Sequence, residues 1–294
     1  MKETRKKSSL TLFTVILLVF LAIYVVTLVA PFLWALLTSL KEQRDFRLNI
    51  IGLPKEWAWA NYPYVFENFS VLVDTESGQK FVGIAEQFLY AFLYSFGCAF
   101  TNTLVPCLTA YLCARFPYKL SKWVYTTVIV VMTLPIVGSL PAEVQMAKTL
   151  GLYDSVWGLW VMKANFLGMY FLVFYTVYKN MPMAYTEAAC IDGAGNMSVL
   201  IRIILPLSRN TFFTVMLINF ITFWNDYQTP LIYMPSKPTV AYGMFVIANA
   251  TTPGLSTIPM RMAGAMLMLI PILIVFLCFH KRLIGNLTVG GIKG

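Results

Sequence analysis

An all-α membrane protein with six transmembrane helices and cytoplasmic N- and C-termini is the fold class this sequence predicts. Three observations lead there: a chain of 294 residues that is 59% hydrophobic and 12% charged, six separate apolar stretches, and a one-sided distribution of Lys and Arg. A soluble domain is about a quarter charged and about half apolar. Here 22 Lys+Arg and 13 Asp+Glu are too few to coat a water-soluble body of this length. With a mean hydropathy of +0.70, long apolar runs must face lipid. A soluble enzyme, a disulfide scaffold and a disordered chain are thereby excluded.

The first apolar stretch, near 11–40, follows the basic residues Lys2, Arg5, Lys6 and Lys7. It is too long for a signal peptide and lacks an A-x-A-like cleavage site, so an uncleaved span is expected. The others fall near 86–114, 123–146, 157–179, 211–233 and 260–280. Pro135, Gly138 and Pro141 predict a kinked or unwound outer half of the third span. In the loop 41–85, Trp57, Trp59 and the run Asn61 to Phe69 (NYPYVFENF) suit either the lipid interface or a docking surface for an external partner.

Cytoplasmic segments retain positive charge, which sets the orientation. With the N-terminus inside, the segments 1–10, 115–122, 180–210 and 281–294, with Lys179, hold thirteen basic residues. Only Glu3, Glu187 and Asp192 oppose them. The outer segments hold eight basic and nine acidic residues. Both termini are then cytoplasmic. Basic residues interleaved with apolar runs also exclude nucleic acid as a partner. Five cysteines without a CxxC pair point to structural thiols, and no metal-ligand spacing is present.

The connection 180–210 is long for a structureless loop. Asn180 as cap and Pro182 in the first turn predict a helix with Ala184, Ala188 and Ile191 on one face. Gly193 is placed to end it in a left-handed conformation, with Gly195 keeping the turn permissive. Asn196 or Ser198 can cap a second helix bearing Val199, Ile203 and Leu207, which Pro206 is expected to kink or end. The product is a pair of short helices at an angle, with small side chains and one acid, suited to close approach by another protein.

At these residues the sequence resembles the EAA loop of bacterial ABC importer permeases. Glu187-Ala188-Ala189, Gly193, Ile203 and Leu205-Pro206 meet the spacing EAA-x3-G-x9-I-x-L-P at every position. Asp192-Gly193-Ala194, Leu205-Pro206-Leu207, Phe223 to Tyr227 and the tail Asn286 to Gly294 resemble the carbohydrate (maltose-type, six-span) branch. Asn210 stands where that branch often has proline. The likeness covers roughly 85–294, and the preceding residues match mainly in topology.

The resemblance implies a type I ABC importer permease fold in a bacterial inner or plasma membrane. It implies a division into an N-terminal tail, span and loop (1–84), a five-helix core (85–285) with coupling helices at 181–210, and a tail (286–294). Glu187, Ala188, Ala189, Asp192, Gly193, Leu205 and Pro206 would couple to a separate ATPase homodimer. Gly290, Gly291 and Lys293 would reach that ATPase. The other implied partners are a second homologous permease, an extracytoplasmic solute-binding protein, membrane lipid and a carbohydrate substrate. ATP and Mg would reside on the ATPase, with no cofactor in this chain.

No GxxxxGK[ST] loop, HExxH or nucleophile elbow occurs in the chain. A permease powered by another subunit is the expected function. The alternatives are an importer for a non-sugar solute such as glycerol phosphate or a polyamine, an ion-coupled secondary carrier, and, last, an intramembrane enzyme. Polar or broken positions inside spans mark a substrate path by default. The candidates are Pro135, Gly138, Asn219, Trp224, Asn225 and Asp226, with inter-span hydrogen bonding as the other reading for those in span five. Lys163 and Asp226 fall at similar depth counted at ~1.5 Å per residue, and an intramembrane ion pair between them is expected.

Overall fold

The computed structural model describes residues 11–75, 78–135, 138–249 and 254–287, with side chains to residue 278. The chain divides into two compact units, Met1–Asn68 with Ala250–Leu267, and Phe69–Asn249 with Met268–Gly294.

In the first unit, α1 (Leu12–Ser39) is apolar on all sides, and its large side chains from Leu12 to Leu33 are exposed. That is the surface of a helix immersed in lipid. Polar contacts begin where it ends. Asn61, at the start of α3 (Asn61–Asn68), donates its amide to the carbonyls of Ser39 (2.8 Å) and Lys41 (2.9 Å). The Ser39 and Tyr62 hydroxyls are 2.7 Å apart. Between them α2 (Gln43–Leu48) sets Phe46 edge-on to Trp34. The stacked, exposed Trp57 and Trp59 suit an interfacial position.

The second unit opens with a feature outside an all-α expectation, an antiparallel hairpin of β1 (Ser70–Thr75) and β2 (Gly78–Gly83). Val71, Val73 and Val82 alternate inward onto Tyr90 and Val246. This period of two lay unread between longer apolar signals. Next, α4 (Ile84–Arg115) forms the unit's centre, packing against helices that follow it. Much of its buried face is small, Ala91, Ser95, Gly97, Cys98, Ala99, Thr103, Cys107 and Ala110, with Tyr94 and Tyr111 as larger buried side chains. Small residues let helix backbones approach closely in lipid.

The third apolar stretch is broken as its prolines predict. It forms α5 (Lys119–Thr133) and α6 (Leu140–Thr149), with Pro135 and Gly138 (φ 82°) in the described part of the break. The fourth is not the continuous span expected over 157–179. It divides into α7 (Val156–Met162) and α8 (Met169–Asn180). Asn165 Oδ1 accepts the Leu167 N–H at 2.7 Å, a local bond that competes with the helical ladder. Gly168 then resumes the chain in an extended conformation.

The helix expected after Pro182 is present as α9 (Ala184–Ile191), but Asn180 is the last residue of α8 rather than the cap of α9, whose cap is Met183. Beyond the turn, α10 (Asn196–Val199) passes through a π turn at Leu200–Ile204 into α11 (Leu205–Asn225). Pro206 neither ends nor interrupts this helix. The Leu205 N–H reaches back five residues to the Leu200 carbonyl, and the widened turn makes room for the proline ring. After α11 come α12 (Gln228–Tyr233), α13 (Val240–Asn249) and α14 (Ile258–Leu287). Among the described residues, Leu12–Ser39, Ile84–Arg115, Asn196–Asn225 and Ile258–Cys278 are long and apolar enough to cross a membrane. The third and fourth expected spans are pairs of shorter helices.

The Trp160 indole on α7 occupies the space that a Cβ at Gly97 would fill, and its Nε1 donates to the Leu93 carbonyl at 3.0 Å. Gly97→Val should displace the indole and cost about 1–3 kcal/mol. A lowered thermal midpoint of the detergent-solubilised protein checks this, and an unchanged midpoint would contradict it.

Candidate functional site

The elbow between α9 and α10 is closed by backbone geometry. Gly193 has φ 80°, its N–H donates to the Cys190 carbonyl (3.0 Å), and the Ala194 N–H donates to the Ala189 carbonyl (2.9 Å). These paired bonds are a Schellman motif, which satisfies the last carbonyls of α9 and turns the chain. Ala189 is buried, joining Val199, Leu200 and Ile204 in a core with Tyr111, Phe171, Phe174 and Tyr178. Glu187, Ala188, Asp192 and Gly193 face outward. Tyr185, Ile191 and Met197 expose apolar surface around them, Ile191 at 86%. Leu205 is half-buried and Pro206 exposed. The elbow therefore joins a buried root to an exposed apolar and acidic tip.

One residue at its base escaped the sequence reading. Arg115, the last residue of α4, is buried and donates Nη1 to the Met183 sulfur at 2.6 Å. Its Nε and Nη2 have no partner among the described residues. Its sequence signal was a basic residue ending an apolar run, which resembles an interfacial anchor. Gly290, Gly291 and Lys293 lie outside the described residues.

The polar residues of α11 turn inward onto neighbouring helices. Asn219 donates to Thr103 Oγ1 (3.0 Å) and accepts from Asn102 (3.2 Å). Trp224 is buried against Phe88 and Phe220 and donates to the Met268 carbonyl at 3.2 Å. Asn225 bonds locally to the Ile221 carbonyl. Asn219 and Trp224 thus make hydrogen bonds between helices, and Asn225 one within its own helix.

The expected pair of Lys163 with Asp226 is not formed. The α11 helix ends at Asn225, and Asp226 turns its carboxylate onto other donors: the Tyr94 hydroxyl at 2.9 Å and the Thr229 N–H at 3.1 Å. Equal depth along two spans presumed both helices continuous, whereas Lys163 and Asp226 each sit at a break. Among the described residues the ion pairs are Lys80–Glu86 and Lys237–Asp154.

A polar cavity of about 330 Å³ lies where the short helices meet. Leu140 and Glu143 of α6 line it, with Leu159 and Met162 of α7 and Lys163 at that helix's end. Gln228, Thr229, Ile232 and Tyr233 of α12 complete it. The Tyr233 hydroxyl donates to Glu143 Oε2 at 3.0 Å. Of the sequence candidates only Lys163 lines this cavity. Glu143 was legible as an acid just after Pro141, yet the third span was drawn across it.

Tyr94→Phe removes a hydrogen bond to a carboxylate and should cost about 1.5–3 kcal/mol. Lys163→Met should leave the thermal midpoint unchanged, since no ion pair is lost. A large destabilisation by Lys163→Met would reinstate the pairing.

Comparison with known proteins matches residues 106–288 to the family model of the binding-protein-dependent transport system inner membrane component. The chain is similar to the diacetylchitobiose uptake system permease protein NgcG of Streptomyces coelicolor, 24% identical, with 92% of this chain and 86% of that protein covered. It is also similar to the melibiose/raffinose/stachyose import permease protein MelC of Bacillus subtilis, 27% identical, with 90% and 91% covered. A chain in the crystal structure of a bacterial ABC transporter involved in the import of the acidic polysaccharide alginate shares the fold. The TM-score is 0.75 at 18% identity, covering 95% of this chain and 99% of that one. The match over more than half its length, together with helices able to cross a membrane, makes this chain a member of the binding-protein-dependent transport system inner membrane components.

Proposed function

We propose that this chain is the permease subunit of an ATP-driven ABC importer for a sugar or oligosaccharide. The observation that carries this reading is the exposed elbow, whose second arm is continuous with the membrane-crossing helix from Asn196 to Asn225. A force applied to its tip is delivered to α11 without a flexible joint, as rigid-body switching requires. Relatives named for diacetylchitobiose and for melibiose, raffinose and stachyose support the sugar class.

In this reading the coupling helices at 181–210 face the cytoplasm and dock on an ATPase homodimer. Glu187 meets a basic partner there, and Ile191 and Met197 fill an apolar cleft. ATP and Mg stay on the ATPase, which performs hydrolysis. The tail at Gly290, Gly291 and Lys293 reaches the same subunit. A second homologous permease completes the path, and a solute-binding protein delivers the sugar at the opposite face. ATP-driven closure draws the elbows together and opens the helices toward that face. The five-helix core (85–285) would move about these elbows.

Glu187→Lys should uncouple the transporter, with uptake falling at least tenfold, about 1.4 kcal/mol of coupling, while the protein stays in the membrane. Normal ATP-dependent sugar uptake by this variant in proteoliposomes would reject the docking role. The exposed Cys190 should react with a membrane-impermeant thiol reagent in inside-out vesicles only. Labelling in right-side-out cells would reverse the proposed orientation.

A further inference from the structure

The segment between α1 and α3 folds into a closed loop that runs back along α1. Its neck lies at the end of α1, where the Ala58 N–H donates to the Leu40 carbonyl at 2.9 Å. Its tip lies further back. The Trp34 indole, on α1, donates Nε1 to the Ile50 carbonyl at 3.0 Å, and Trp34 stands five residues before Ser39, the last residue of that helix. At a rise of 1.5 Å per residue the tip sits about 7 Å back from the helix end. The helix has 28 residues, about 42 Å in length, against a hydrocarbon core of about 30 Å. Centred in the bilayer, it extends about 6 Å beyond the core at each end. The tip of the loop therefore reaches the edge of the hydrocarbon, while Trp57 and Trp59 at the neck stay at headgroup level.

Side chains and backbone at the tip both suit that depth. Leu48, Ile50, Ile51 and Leu53 are exposed, Ile51 at 82%, a cluster of large aliphatic groups that calls for an apolar partner. The polar backbone beneath them is satisfied within the loop. Asn49 Oδ1 accepts the Gly52 N–H and Asn49 Nδ2 donates to the Leu53 carbonyl, both at 2.8 Å. The ammonium of Lys41, a residue 1% exposed, donates to the Asn49 carbonyl at 2.6 Å. A loop in water can leave such groups to solvent, whereas entry into lipid demands that they be bonded internally. Between Glu42 and Glu56, Arg44, Arg47 and Lys55 are matched by Glu42, Asp45 and Glu56. A net charge of zero leaves burial of apolar surface as the force that holds the loop to its partner.

We infer that residues 48–53 are a lipid hook, whose aliphatic side chains insert into the bilayer at the boundary between headgroups and acyl chains on the side where α1 ends. Phospholipid is the occupant of this surface because the tip is continuous with the exposed apolar face of α1, which is itself immersed in lipid. Insertion to this level is that of an interfacial segment that lies in the membrane without crossing it. Trp34 and Lys41 tie the hook to α1, so the hook fixes how deeply that end of the helix sits. The inference rests on the membrane-crossing α1 and is independent of the transported solute and of the elbow.

The test uses the assembled transporter in phosphatidylcholine liposomes, with the exposed Cys190 and Cys278 replaced by serine. An environment-sensitive fluorophore is attached through Ile51→Cys at the tip or, for comparison, through Glu56→Cys on the exposed return of the loop. Phosphatidylcholine carrying a nitroxide on the acyl chain close to the headgroup should quench the tip probe, whose emission shifts to the blue. Aqueous iodide should quench the Glu56→Cys probe instead, so the ratio of lipid to iodide quenching is severalfold higher at the tip. Adding phosphatidylglycerol or high salt should leave that ratio unchanged. A tip probe quenched by iodide and not by the nitroxide lipid overturns the hook. Protection of the tip from both quenchers, with a short cross-linker joining Ile51→Cys to the second permease, overturns it in favour of a protein cover. A ratio that collapses in salt overturns insertion by apolar burial. Coupling is read separately, from uptake by Glu187→Lys, so failure of the hook leaves the proposed function standing.

Discussion

Backbone groups at membrane depth have no water to bond, and this constraint shapes the helix from Asn196 to Asn225. Its ladder passes from the exposed elbow through a π turn and past Pro206 without a gap that would act as a joint. The elbow's other features serve that continuity. Gly193 closes the preceding helix through backbone bonds, and Ala189 is small enough to seat it on the core. A larger residue at 189 would lift the elbow from Tyr111 and Phe174, and a branched one at 193 would oppose its positive φ.

The same constraint assigns the polar residues on the buried helices. Asn219, Trp224 and Asp226 each find partners on neighbouring helices. The small-residue face of α4 brings those helices within reach, as at Gly97, where only a missing Cβ admits Trp160. Polar pairing and close approach are therefore coupled: lose the approach and these groups are left unsatisfied in an apolar setting.

Helix ends are the exception, and the structure concentrates them. The breaks after α5, α7 and α11 leave short helices α6, α7 and α12 around one polar cavity. Irregular backbone is tolerated at such depth only where protein buries it or a cavity hydrates it. Breaks in sequence and polarity in space thus have one cause. The residues at these breaks, Pro135, Asn165 and Asp226, are those that interrupt the ladder beside the cavity.

The sequence by itself determined the membrane class, the approximate apolar stretches, the broken third stretch and the elbow with its EAA spacing. Each of these is written in local chemistry: hydropathy runs, a glycine at a left-handed turn, prolines in a span. Periodicity and spacing did not determine partner choice. Asp226 bonds to Tyr94, 132 positions earlier, and Lys163 stays unpaired because two helices end where they were expected to continue. The hairpin, the Arg115 contact at the elbow base and the cavity walls likewise depend on distant segments meeting. Such contacts are decided by which donors packing brings within about 3 Å, and only the tertiary structure specifies that.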